Sequence, residues 1–251
     1  MKSHLLALGG TAQNYSAGLA TVPVIPDVLI RTQANIIQLS DDWQVFAAFM
    51  GGVGMLRFRL SSAQSRIRGY PNLSPLSAVA LPGDLPKMAD MKDNPIQLYN
   101  GENVTLQATN AGAQTTFGAL FMSREQLVFN QPPNGLRWIS FTFPGAGIAS
   151  SWSAPINVVL DDDLEAGTYE VYGLRLDEAT SYMGRLIFKD QVERPGCLAN
   201  QAATERSQDS VIGGMGLMGR FQSITPPFVE VVANASAALT TPTGQMLVRK
   251  I

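Results

Sequence analysis

Gly214, Gly216 and Gly219, in the stretch VIGGMGLMGR, stand at the G-x-G-x-x-G spacing that holds a dinucleotide when it joins a strand to a helix. That chemistry needs helix N-terminal amides facing a pyrophosphate, and an acidic residue about 20 positions on for the ribose. Downstream, Pro226 and Pro227 would break a helix two turns in, and around Leu239 there is no Asp or Glu. The glycines are therefore expected in a loop or edge strand, serving a close-packed backbone or a bulge, and no cofactor is expected.

The remaining candidates for chemistry are few. His4 is the only histidine, and it lies in a chain-terminal segment expected to be loosely held, so a hydrolytic triad lacks its base. Cys197 is the only cysteine, which excludes an internal disulfide and a multi-thiolate metal site. Placed just before a short helix its thiol would be activated; a quiet, partly buried thiol is the expectation. Asp161, Asp162 and Asp163, with Glu165, Asp177 and Glu178, offer oxygen ligands of the kind calcium takes, against the alternative of a solvated turn. No pair of carboxylates is marked out for glycoside chemistry, whose spacing is set by tertiary structure. No catalytic, cofactor-binding or metal-ligating residue is assigned, and enzymatic activity is not expected.

Composition narrows the classes. The chain has 251 residues, enough for one large or two modest domains, and its 45% hydrophobic content can fill real cores. Only 15% of the residues are charged, against roughly 25% for an ordinary domain. Such a surface suits burial against other subunits. The net charge is -2 and there is no Lys/Arg run, so no direct nucleic-acid binding is expected. The start, MKSHLLALGGTAQ, is too broken by Gly9 and Gly10 for a secretory apolar core and reads as mature protein. The triplets beginning at Asn14, Asn72, Asn103 and Asn234 match the glycosylation sequon at a frequency expected by chance in a Ser/Thr-rich chain.

The elements that must carry these residues come twice. WQVF at 43 to 46 matches YEVY at 169 to 172, an offset of 126 that Arg68 and Arg194 keep. FGALFMSR (117 to 124) lies over TGQMLVRK (243 to 250) at the same offset, with Gly118 over Gly244. NAGAQTT resembles NASAALTT with one residue inserted, and NIIQLSDD resembles NVVLDDD; the middle blocks GMLRFRL and YMGRLIF align only with a two-residue slip. These matches favour an internal duplication. The turn residues of NQPPNG, about 130 to 135, mark a linker between residues 1 to 130 and 131 to 251.

Both halves read as short β-strands, among them WQVFAAFM, GMLRFRL, NVTLQAT and FGALFMS in the first and LRWISFTF, YEVYGLRL, GRLIF, FVEVVAN and QMLVRKI in the second. Helical patterns are confined to 74 to 93 and 197 to 208, one excursion per half. WQVFAAFMGGVGML is uncharged but shorter than the roughly 20 residues a spanning helix needs, and its counterpart in the second half carries Glu170, Arg175, Asp177 and Glu178. About eight strands and one excursion per half are what a jelly-roll sandwich needs. The expected fold is all-β, two tandem jelly-roll β-sandwiches related by duplication.

A chain of two such halves, joined by a Pro-rich linker and poor in catalytic groups, resembles the double jelly-roll major capsid proteins of tailless, membrane-containing phages and the adenovirus lineage. The resemblance covers the whole chain at the level of architecture. It implies a structural protein of the virion, assembled in the host cytoplasm: a homotrimer filling a pseudo-hexameric position of an icosahedral shell, beside neighbouring capsomers, other virion proteins and an internal membrane. The alternative is a tandem β-sandwich module, a phage decoration or receptor-binding protein that recognises carbohydrate. For that reading Trp138, Trp152 and Tyr182 would be the outward aromatics.

Overall fold

The computed structural model describes residues 3 to 14, 20 to 51, 55 to 62, 89 to 110, 113 to 125, 133 to 200 and 216 to 251. Among them all regular structure is β, and there is no helix. The chain divides into an N-terminal unit, Leu6–Glu125, and a C-terminal unit made of Met1–Leu5 and Gln126–Ile251.

In chain order the first strands are β1 (Ser3–Asn14), β2 (Ala20–Thr21), β3 (Arg31–Gln33), β4 (Ile36–Gln38), β5 (Trp43–Gly51), β6 (Met55–Ser61), β7 (Ala89–Asp90), β8 (Ile96–Leu98), β9 (Asn103–Asn110) and β10 (Ala113–Ser123). One sheet of the N-terminal unit runs β1-β10-β5, with β7 and β8 both on β5. The other centres on β9, which pairs with β2, β4 and β6, while β3 forms a hairpin with β4. DVLIRTQANIIQL is thus two short strands, turning at Ala34 and Asn35 with φ of 48° and 65°, the positive values a two-residue hairpin turn requires. The alternating burial of β9 sends Val104, Leu106 and Ala108 into a core shared with Val45, Ala48, Met50, Leu120 and Met122. Each Val, Leu or Met among them contributes about 1.5–3 kcal/mol on burial.

The second set is β11 (Arg137–Thr142), β12 (Ala146–Gly147), β13 (Ile156–Asn157), β14 (Val159–Leu160), β15 (Thr168–Asp177), β16 (Ser181–Ile187), β17 (Gly196–Asn200), β18 (Gly219–Gln222), β19 (Phe228–Ala233), β20 (Ala237–Ala238) and β21 (Thr243–Lys250). The order β13-β19-β16-β17 continues through a short parallel contact into β15-β21-β11-β14, with β18 also on β15. β12 and β20 make a separate small pair.

The two units share ladders residue by residue. β10 and β5 pair Gly118 with Met50, Leu120 with Ala48 and Met122 with Val45, leaving Phe46 out at a bulge. β21 and β15 pair Gly244 with Leu176, Met246 with Leu174 and Val248 with Val171, leaving Tyr172 out. Every pair of the first ladder, bulge included, recurs 126 positions later. β6 on β9 pairs Arg59 with Gln107 and Leu60 with Leu106, and β16 on β19 pairs Arg185 with Glu230 and Leu186 with Val229. There β6 and β16 keep the offset of 126, while β9 and β19 lie 123 apart, as do Leu98 and Phe221 in β8 and β18.

Three sequence expectations change. GMLRFRL and YMGRLIF need no slip, because Arg59 and Arg185 occupy matching rungs. NIIQLSDD and NVVLDDD are not counterparts in pairing: Ile37 sits against Val104 of β9, whereas Leu160 sits against Phe141 of β11. Cys197 to Asn200 form a strand between β16 and β15 where a helix was expected, so sheet pairing overrides the helix propensity of Leu and Ala. Residues 201 to 208 of that excursion and 74 to 88 of the other lie outside the described residues, and Ala89 and Asp90 are strand.

Candidate functional site

The residues singled out for chemistry are dispersed and tied to structural duties. His4 is not loosely held: it is buried in β1, and its Nδ1 accepts a hydrogen bond from the Arg194 amide at 3.1 Å. Cys197 is buried in β17 opposite Gly184, and burial, with the nearby Asp177 charge, pushes its thiol well up; the partial burial expected becomes complete. Gly214 lies outside the described residues, Gly216 has a φ of 98°, and Gly219 opens strand β18 where an added Cβ would fall on the Phe188 ring. The third glycine of the motif therefore serves strand packing.

The acidic set does not converge. Asp162 accepts the Ser140 amide at 2.7 Å, Glu165 pairs with Lys250 at 2.7 Å, and Glu178 is buried and accepts from the amides of Thr180 and Thr240, each at 2.8 Å. The Lys250 hydrogen bond and charge hold Glu165 below its ordinary range. Among the described residues no group of three or more His, Cys, Asp and Glu could hold a metal ion. The aromatic trio divides too. Trp138 is 37% exposed, with the Arg175 guanidinium 5.4 Å from its ring centroid, whereas Trp152 and Tyr182 are each only 8% exposed. Burial pushes the Tyr182 phenol up to about 12.

Sequence reasoning missed two charged clusters. In the first, Glu230 of β19 receives Arg185 Nε at 2.8 Å and Arg194 Nη1 at 2.6 Å, and the Arg185 guanidinium lies 3.8 Å from the centroid of the Trp152 ring. Arg185 and Glu230 are both buried. The matching rung in the N-terminal unit keeps the geometry with one charge fewer: Arg59 Nε donates to Gln107 Oε1 at 2.9 Å. In the second cluster, Glu170 of β15 accepts from Tyr172 at 2.8 Å, from Arg220 Nη2 at 2.8 Å and from Arg249 Nη2 at 2.5 Å. Burial works to raise the Glu170 carboxyl, but the hydrogen bonds from Tyr172, Arg220 and Arg249 outweigh it and hold it below its ordinary range. Its counterparts across β8, β5 and β10 are Gln97, Gln44 and Ser123, which are neutral. For the first cluster the change of offset between β16 and β19 hid the matching rung; for the second, Glu170 and Arg249 keep the offset of 126 but their counterparts Gln44 and Ser123 carry no charge to mark it.

Burial differs between matching sheets. In the N-terminal unit Val45 to Gly51 of β5 and Phe117 to Ser123 of β10 are buried on both faces. Their counterparts in β15 and β21 alternate, with Arg175, Gln245, Leu247 and Arg249 only half-buried. The other sheet behaves oppositely: Ser181 to Leu186 of β16 and Val229 to Ala233 of β19 are buried on both faces, while Thr105, Gln107 and Thr109 of β9 and Arg59 of β6 are half-exposed. Comparison of the chain with protein-family models, curated proteins and solved structures finds no match.

Proposed function

We propose that this chain is a structural shell protein of the double jelly-roll kind, built by internal duplication and working as a homotrimer in an icosahedral capsid. The observation that carries the reading is the shared ladder: β5 with β10 and β15 with β21 match pair for pair at an offset of 126, including the bulged Phe46 and Tyr172. A bulge is a specific feature of a strand pair, so its recurrence at one position supports common descent of the two units. The strand orders support the jelly-roll assignment. A jelly roll of strands B to I forms the sheets B-I-D-G and C-H-E-F. The C-terminal unit runs β11-β21-β15-β18 and β13-β19-β16-β17, and the N-terminal unit runs β1-β10-β5-β8, with β9 central to the other sheet and β6 beside it. Three copies of two similar sandwiches place six similar units about one axis, which lets a threefold oligomer fill a sixfold position. The carbohydrate-binding alternative keeps only Trp138 of its three aromatics at the surface.

Light scattering on purified protein should give about 81 kDa, three chains of 27.0 kDa, and electron microscopy of concentrated material should show closed shells or hexagonal tiles. A monomer that stays 27.0 kDa at every concentration and binds a glycan on an array would replace this reading with the binding module.

A further inference from the structure

We infer that Asn134 is a site of spontaneous modification, where the folded chain loses side-chain ammonia to give aspartate and isoaspartate, while the fold protects Asn100 from the same reaction. This stands independently of the assembly reading above. The chain holds two Asn-Gly pairs, Asn100-Gly101 and Asn134-Gly135, the second in the NQPPNG linker. The reaction needs no cofactor. The main-chain nitrogen of the glycine, on losing its proton, attacks the carbonyl carbon of the Asn side chain. The new N–C bond closes a succinimide ring as the bond from that carbon to the side-chain nitrogen breaks, and the nitrogen leaves with the proton as ammonia. Water then opens the ring at either carbonyl, giving aspartate or, where the original main-chain bond is the one cleaved, isoaspartate. Nothing is oxidised or reduced, and water is the only co-reactant. Glycine suits the following position because no Cβ crowds the attacking nitrogen.

The two pairs share a frame. All four residues are exposed, each glycine has a φ of 79°, and a Cβ built on either would meet nothing within 4 Å. Access therefore does not separate them; hydrogen bonding does. In the first turn every amide is engaged. Asn100 N–H donates to Asp42 Oδ1 at 2.8 Å, Gly101 N–H to the Leu39 carbonyl at 2.9 Å, and Glu102 N–H to the Tyr99 carbonyl at 3.0 Å. The buried Glu102 carboxylate accepts the Tyr99 amide at 2.9 Å and the Ser62 hydroxyl at 2.6 Å, which fixes the turn from below. An amide held on a carbonyl keeps its proton, and its nitrogen cannot turn toward the side chain until the turn opens; the free energy of opening then lowers the rate. Among the described residues the Gly135 amide has no hydrogen-bond partner. Modification at Asn134 adds one negative charge to a chain whose net charge is -2, and the isoaspartate product lengthens the main chain by one carbon just before β11.

Purified full-length protein, held in mildly alkaline buffer at physiological temperature, tests this by anion exchange and by mass spectrometry of proteolytic peptides. An acidic form should accumulate with time, with Asn134 converted several-fold faster than Asn100, and it should form faster at higher pH because the attacking nitrogen must lose a proton. In urea the turn at Asn100 opens, and the two sites should convert at similar rates, which ties the difference to the fold and not to the neighbouring residues. Asn134→Gln keeps a neutral amide in an exposed turn and should suppress the acidic form without changing the unfolding midpoint. Conversion of Asn100 as fast as Asn134 in the folded protein, a difference that persists undiminished in urea, or no conversion at either site would each overturn the inference. So would an acidic form that accumulates in Asn134→Gln at the wild-type rate.

Discussion

At the scale of single residues, the two units agree most where the backbone leaves no room. A Cβ added at Gly118 would lie 2.8 Å from the Phe49 carbonyl oxygen, and one at Gly244 the same 2.8 Å from that of Arg175, again 126 positions on. Alanine at either site forces strands apart, with an expected loss of about 1–3 kcal/mol in denaturant unfolding. Glu170 gives a pH signature. Its folded-state pKa is below the ordinary 4.5, so the stability it contributes is present above pH 4.5 and is lost as pH falls through the lower folded value. Glu170→Gln should therefore flatten the acid limb of the stability curve below pH 4.5. These residues were only half legible. The glycine pair stands out by its offset, but a Glu on one strand says nothing of which arginines reach it.

Among elements, the legible strands were those whose β-branched, aromatic and long apolar runs are bounded by turn residues: β5, β10, β11, β15 and β21 all fall where such runs placed them. What misled was likeness without equivalence. NIIQL and NVVL share β-branched side chains because both are short extended segments, yet one pairs with β9 and the other with β11. Arg59 and Arg185 were displaced by two residues in alignment because the residues flanking them differ in type, and the two side chains differ in surroundings, Arg59 half-exposed in β6 and Arg185 buried in β16. The same contrast predicts unequal costs. Glu230→Ala strands Arg185 in a buried site and should cost about 3–5 kcal/mol. Gln107→Ala removes the matching contact of Arg59 at a half-exposed site and should cost only about 0.5–1.5 kcal/mol. Thermal or urea denaturation of the two variants under one buffer separates these outcomes; equal losses would mean that the two rungs are equivalent in burial as well as in geometry.

For the whole molecule, the low charge fraction and the proposed assembly lead to one thermodynamic expectation. An oligomer that binds folded chains and not unfolded ones gains stability with concentration. The melting temperature should rise steadily from low to high micromolar protein. A melting temperature independent of concentration, with a mass of 27.0 kDa throughout, would contradict obligate assembly. The recurring offset of 126 was legible in the sequence where β5 and β10 drift by no residue against β15 and β21. The contrast in burial between matching faces was not, since it depends on what lies above each sheet.

Cys197 is the single thiol of the chain, and it is shut inside a sheet. A cysteine introduced at Ile224, 86% exposed in the turn between β18 and β19, would then be the one position that a maleimide dye reaches. Each subunit would carry one fluorophore at a known place, and the number of bleaching steps from a single immobilised particle would count its copies.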